Sequence, residues 1–406
     1  MKRRDFLSLA TATGISSSLP FLSAKATNNN APLNGETPQS LYAPTRYLFI
    51  ADISTYYISV YDTVTMEQVA HLNFNIKPKV MEIARDDSML AFGNPEVSSL
   101  YLYNLISREI KVIDMPSPVY QIFFVPQSKL LAVGLRDQVG MVNYDTGEVT
   151  IFPEKFDSPQ RETVLYAYYT LLFSSFSQSF WVLDKTKPVI YRKHGYDPIK
   201  KPWEVLDFTK RIRPTVGFDK GVASPEDYMV AFNTLDGSEG LLYFPETDKL
   251  LSTGPMYTAG TTYRPMVSPY IDAYSQRVLF SDVSGHLAYF NLEQGDEKPI
   301  RYEVDFSPRI IRSGWLESTW VIGGDKGLMF QSFDNPDDHK IYRFPYEVVD
   351  MWVTGDSKTL YMTLDEGPPQ IFRYDIRTRE MLDPIRIKGV VMGGLLRMGS
   401  NNSICY

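Results

Sequence analysis

A strand that ends in an aromatic residue followed by an acid or amide recurs along this chain, and its spacing constrains the fold more than any other feature. It reads Val60-Tyr61-Asp62, Leu102-Tyr103-Asn104, Asn143-Tyr144-Asp145, Val182-Leu183-Asp184, Tyr289-Phe290-Asn291, Ser332-Phe333-Asp334 and Arg373-Tyr374-Asp375. A weaker copy is Leu242-Tyr243-Phe244, with its polar turn at Glu246-Thr247-Asp248. Neighbouring copies lie about 40 residues apart, the length of a unit of four short strands. Residues 345–383 show one unit whole. Val348 to Val353, Thr359 to Thr363, Gln370 to Asp375 and Glu380 to Leu382 are short apolar runs, separated by turns rich in Gly, Pro, Asp and Ser. Strands this short cannot bury their apolar side chains alone, so each unit must stack on others like it.

Eight markers predict an all-β fold, a single β-propeller of eight four-stranded antiparallel blades, with seven as the alternative if the unit at 163–192 is degenerate. The chain enters at Tyr47-Leu48-Phe49-Ile50 without a preceding strand and leaves with an apolar strand from Gly389 to Leu396 that has no blade of its own. Pairing these two strands would close the ring and protect edges that otherwise invite aggregation. One interval, between Asp184 and Phe244, is half as long again as the others. Residues 194–213 account for the excess, and an insertion on one face of the disc is expected there, with a short helical turn from Glu204 to Lys210.

Two stretches carry a family resemblance. Tyr47-Leu48-Phe49-Ile50-Ala51-Asp52, Ile58-Ser59-Val60-Tyr61-Asp62-Thr63 and Gln68-Val69-Ala70 resemble the bacterial YVTN-type propeller repeat, as does the turn Thr354-Gly355-Asp356-Ser357-Lys358-Thr359-Leu360-Tyr361. Arg85-Asp86-Asp87-Ser88-Met89-Leu90 is a looser copy. The likeness implies the fold, and a general layout similar to the propeller subunits of periplasmic amine dehydrogenases. It does not imply one activity, since the repeat serves enzymes, subunits and binding proteins alike.

The N-terminus reads as an address. Lys2-Arg3-Arg4-Asp5-Phe6-Leu7, a mildly apolar run from Leu9 to Leu22, and Ala24-Lys25-Ala26 are the three regions of a signal peptide in order. The Arg pair before Phe6 and Leu7 resembles a twin-arginine export signal, which implies a periplasmic protein with residues 1–26 cleaved after Ala26. Residues 27–45, rich in Asn, Pro, Gly, Ser and Thr, are expected as a flexible leader before the propeller at 46–406. No later segment has the roughly 20 apolar residues needed to span a bilayer. The net charge of −7 leaves no basic surplus for nucleic acid. One cysteine, Cys405, excludes an intrachain disulfide, a CxxCH haem site and a cysteine-held cluster.

In a propeller the innermost strands line a channel, and ligands most often sit at its mouth. Polar residues on the expected innermost strands are Glu82, Gln121, Arg264, Arg309, Arg312 and Asp350, with Tyr166, Tyr168 and Asp219 beside them. Glu82 and Asp350 are expected to pair with the arginines, because isolated buried charge is costly. Structural pairing is the first reading of this set and catalysis the second. The insertion supplies His194, Lys200, Lys201 and Trp203 as contact candidates, an exposed mixture of basic and aromatic groups typical of binding surfaces. His71, His194, His286 and His339 share no ligand spacing, and Asp334 to Asp338 lacks the pattern of a calcium loop, so no metal or other cofactor is expected.

The reading that follows is an exported binding or scaffolding subunit, a non-catalytic partner of a periplasmic redox enzyme. The alternative is a channel-mouth enzyme, either a lactonase-like hydrolase using Glu82 and the arginines or a quinone-dependent dehydrogenase.

Overall fold

The computed structural model describes residues 41, 46–52, 55–158, 167–193, 199–212, 216–256, 265–272, 274, 276–366, 368–387 and 394–398. The expected signal peptide, all of the leader but Leu41, and candidates Arg264 and His194 lie outside them. Within them the chain is antiparallel strand and turn, with two single turns of 3-10 helix at Leu292–Gln294 and Trp315–Glu317. No helix among the described residues is long and apolar enough to cross a membrane.

Counted by continuous sheets the molecule is a seven-bladed propeller, with six blades of four strands and one of six. Blade 1 runs from the axis outward as Gly394–Met398, Tyr47–Asp52, Tyr57–Asp62 and Glu67–Asn73. Blades 2 to 6 occupy 80–114, 121–151, 169–207, 218–252 and 270–303, and blade 7 occupies 307–386. The ring closes as the two chain ends require. Leu48, Phe49, Ile50, Ala51 and Asp52 pair with Met398, Arg397, Leu396, Leu395 and Gly394.

Eight separate sheets were expected and seven are found, for a local reason. Nothing between Lys340 and Val353 breaks the extended backbone, so the outer strand of one module continues into the inner strand of the next as the 15-residue strand His339–Val353. Its first half pairs with Thr319–Ser332 and its second with Thr359–Leu364. Thr319–Ser332 itself doubles back at Asp325-Lys326, where Lys326 has φ of 65° and the Phe333 N–H donates to the Ser318 carbonyl at 2.8 Å. Blade 7 is therefore double, and the sequence's eight modules fit in seven sheets. Gly324 makes the fold-back feasible: a Cβ there would collide with the Ser307 carbonyl.

The recurring acid or amide now has a physical role. In blades 1, 2 and 7 it ends the third strand and caps the turn to the fourth by accepting backbone N–H groups, and in blade 3 Asn143, which stands before the aromatic of its marker, does the same. Asp62 accepts from Val64 at 2.9 Å, Asn104 from Ile106 and Ser107 at 2.9 Å, Asn143 from Asp145 and Thr146 at 3.1 Å, and Asp375 from Thr378 at 2.7 Å. Asp184 is different, because it ends the second strand of blade 4 and caps the next turn through Thr186 at 2.8 Å. The long interval after it is thus partly a change of strand. The stretch expected as an insertion, 194–213, contains the outer strand of that blade, Glu204–Asp207, paired with Val189–Lys193. The expected helical turn is corrected accordingly. Glu204, Val205, Leu206 and Asp207 alternate against a waiting edge, and only Phe208 to Ile212 turns, with Arg211 N–H to the Phe208 carbonyl at 2.8 Å.

The core lies between blades, where alternate side chains of one sheet meet those of the next. Fully buried Trp320 packs against Phe333 at 4.7 Å and against Tyr270 and Tyr289 at 6.1 Å. Trp181 fills the equivalent space between blades 4 and 5, in one cluster with Phe208, Phe218 and Phe232.

Candidate functional site

Each innermost strand has a neighbour on one side only, so its axial edge carries N–H and C=O groups that no sheet satisfies. Side chains from adjoining blades fill that gap. The Gln121 amide donates to the Leu171 carbonyl at 2.8 Å and accepts the Leu171 N–H at 2.9 Å. Thr170 donates to the Asp219 carbonyl, Lys220 to Met266 at 3.0 Å, Asn233 to Val267 at 2.7 Å and Thr363 to Gly394 at 2.9 Å. Gln121, expected as a channel-lining candidate, thus laces blade 3 to blade 4.

The charged candidates converge on Arg397. Its guanidinium lies 3.4 Å from Glu82 and 3.2 Å from Asp350, and 5.4 Å from the Trp352 ring centre. Asp350 also accepts the backbone N–H of Leu396 and of Met351, both at 2.9 Å, and stands 3.6 Å from Arg312. Arg312 in turn donates to the Met351 carbonyl at 3.2 Å. A chain of alternating charge therefore runs from the inner strand of blade 2 through the closing strand of blade 1 to both halves of blade 7. The expected pairing of Asp350 with Arg312 is present, while the partner of Glu82 is Arg397. Arg309 does not join them. A bulge between Pro308 and Ile310 turns it outward, where it faces Glu347 at 3.5 Å, both well exposed. The apolar run of the closing strand ends at Leu396 in the sequence, so Arg397 does not stand out there as an inner-strand residue. A basic residue one position further, on a strand that must be innermost, was the available signal.

Burial raises the pKa of Glu82, and the Asp350 charge adds to the effect, while Arg397 opposes it. An acid whose folded pKa lies above its unfolded value favours the folded state most when protonated. Its contribution to stability declines as pH rises from the ordinary glutamate range through the raised folded value. Glu82→Gln is expected to remove that decline. Urea unfolding across this range should give a flatter pH profile for the variant than for the parent, and an unchanged or steeper profile would contradict the assignment.

The histidines are more engaged than their spacing suggested. His286 Nδ1 lies 2.7 Å from buried Asp282 and its Nε2 lies 3.6 Å from Glu303, while His71 packs on Tyr57 with ring centres 4.1 Å apart. Among the described residues, no group of three or more His, Cys, Asp or Glu is placed to hold a metal ion. Of the other candidates, Lys200 and Lys201 are exposed. Trp203 packs edge-on against Phe152 at 5.8 Å and Tyr191 at 6.5 Å, and Lys193 lies over it at 5.2 Å. Trp203 therefore anchors the 199–203 segment to the disc and is not a free contact. Phe208, at the end of the same stretch, is buried against Phe218 and Tyr243.

No protein-family model and no curated protein matches the sequence. Solved structures do match. The dihydro-heme d1 dehydrogenase NirN in complex with DHE superposes with a TM-score of 0.68 at 11% identity, over 93% of this chain and 80% of that one. The computationally designed Ika8 protein superposes with a TM-score of 0.53 at 11% identity, over 76% and 86%. At such identity the likeness shows the propeller fold and carries no activity.

Proposed function

We propose that this chain is an exported propeller that works as a binding or scaffolding subunit, a non-catalytic partner of a periplasmic redox enzyme. One observation carries the reading: the polar side chains of the inner strands are engaged with neighbouring backbone and with each other, as in Gln121 with Leu171 and Asp350 with Leu396, Arg397 and Arg312. Such a lattice makes a rigid ring whose outer faces are free to bind. The N-terminal pattern Lys2-Arg3-Arg4-Asp5-Phe6-Leu7 supports export. A likeness in fold to a dehydrogenase bound to DHE fits a redox setting.

The second reading, a channel-mouth enzyme, rests on Glu82, an acid whose pKa burial raises above the ordinary range, 3.4 Å from the Arg397 guanidinium. Purification from the periplasm tests the two together. A second chain that stays at a fixed ratio through two unlike columns is expected, with the mature N-terminus at Thr27. A single chain carrying a stoichiometric chromophore would overturn the scaffold reading in favour of the second.

A further inference from the structure

Equivalent turns of neighbouring blades share one face of the ring, because the strands they join run the same way in every blade. The chain enters the ring across two of them. Just ahead of the first strand, Arg46 is bound to the third-to-fourth turn of blade 1. Its guanidinium donates to the Asp62 carboxylate at 2.9 Å, and its carbonyl accepts the Thr63 N–H at 3.0 Å and the Thr63 hydroxyl at 2.8 Å. Five positions earlier, Leu41 is bound to the same turn of blade 2. Its N–H donates at 2.9 Å to the carbonyl of Leu105, the residue after the capping Asn104, and Leu41 is only 5% exposed. A residue ahead of the ring is thereby fixed to a blade that the chain builds only from Val80 onward.

The Leu41 side chain belongs to the apolar cluster at the seam of these two blades, with Leu72, Phe74 and Ile76 from the end of blade 1 and Phe92, Tyr103 and Leu105 from blade 2. Phe74 spans the seam, with its ring centre 4.6 Å from that of Phe92 and 5.3 Å from that of Tyr103. At the axial end the same seam is crossed by the contact of Glu82 with Arg397. Blade 1 is the one blade assembled from both ends of the chain, so its grip on blade 2 has most to gain from a further tie. A short chain between two bound points keeps both engaged, since closing a small loop costs little entropy. We infer that the chain ahead of the ring is a strap, anchored at Arg46 on blade 1 and at Leu41 on blade 2, that clamps these blades together and holds the seam in which Glu82 meets Arg397. Leu41 lies 15 positions beyond Ala26, so cleavage there leaves the strap in place. The strap does not depend on the binding or export role proposed above.

The test is hydrogen–deuterium exchange on the full chain, read by peptide. Leu41→Ala is expected to speed exchange about tenfold or more in 72–76 and 101–105, on the two sides of the seam, and to leave 169–174 and 278–281, in blades 4 and 6, unchanged. Leu41→Ile should keep the parent pattern. A strap, unlike a side chain that only fills a gap, acts through the chain joining its anchors. Inserting about 20 Gly and Ser residues between Ala43 and Pro44 should therefore speed exchange about tenfold in the same two peptides with Leu41 itself intact. An unchanged seam in Leu41→Ala, an equal rise in blades 4 and 6, or an insertion without effect would overturn the strap. Where Leu41→Ala does not fold, the insertion variant decides on the same peptides.

Discussion

A chain ending at Ile387 is expected to accumulate as insoluble protein without a cooperative melt. It lacks the innermost strand of blade 1, Gly394–Met398, and with it five paired positions on Tyr47–Asp52. Leu396 and Met398 leave a cluster that also holds Leu48, Ile50, Tyr61, Trp352, Ile371 and Ile385. Each such side chain contributes about 1.5–3 kcal/mol by burial, and each ladder hydrogen bond about 0.5–1.5 kcal/mol. The Asp350 carboxylate would also lose both the Leu396 N–H and the Arg397 guanidinium. Together these losses approach the whole stability of an ordinary domain, about 5–15 kcal/mol. A bare inner edge at Tyr47–Asp52 then favours intermolecular pairing. Light scattering and far-ultraviolet melting read the outcome. A peptide covering 388–406, added during refolding, should restore soluble protein, and a truncated chain that stays soluble and melts near the parent temperature would contradict the closure argument.

Asp227→Ala is expected to lower the unfolding free energy by about 3–5 kcal/mol, the range for breaking a buried ion pair by removing one partner. Asp227 sits buried in the first turn of blade 5 and gathers donors from blade 4. These are Ser179 Oγ at 2.9 Å, Ser174 Oγ at 3.3 Å, Trp181 Nε1 at 2.6 Å and Arg192 Nε at 3.0 Å, with a second contact from Arg192 Nη2. The Arg192 guanidinium also stacks over the Trp181 ring at 4.8 Å. Removing the carboxylate leaves an indole N–H without its acceptor and a nearly buried guanidinium with only the exposed Glu204 carboxylate at 3.5 Å. Replacing Arg192 and Asp227 together by leucine should cost less than Asp227→Ala alone, because no charge is then stranded. Urea titrations of the three proteins decide it. A loss under about 1 kcal/mol for the single variant would assign the cluster to the class of weak surface pairs.

Much of this was legible because turn chemistry is local. At Asp62, Asn104 and Asp375 the acid or amide after the aromatic acts on N–H groups two or three residues ahead, so a single sequence displays it. Which turn it caps is not local, and Asp184 shows the limit: the same signal closes the second strand of blade 4 and shifts the apparent repeat. Glu204–Asp207 was hidden for a related reason, since its short polar run becomes a strand only because Val189–Lys193 offers an unpaired edge. In the channel, Glu82, Arg312 and Asp350 could be named from their strands, whereas Gln121 looked like a channel group until its amide met Leu171 across the blade boundary.

The amino-acid order alone determined the four-strand period, the antiparallel blades and the joining of the two chain ends, because alternation, turn residues and short-range hydrogen bonds act within a few positions. Tertiary structure alone decided that two modules share the strand His339–Val353 and that Arg397 is the partner of Glu82. Those outcomes depend on contacts between residues as far apart as Glu82 and Arg397, which exist only once the ring has closed and set the angle between one blade and the next.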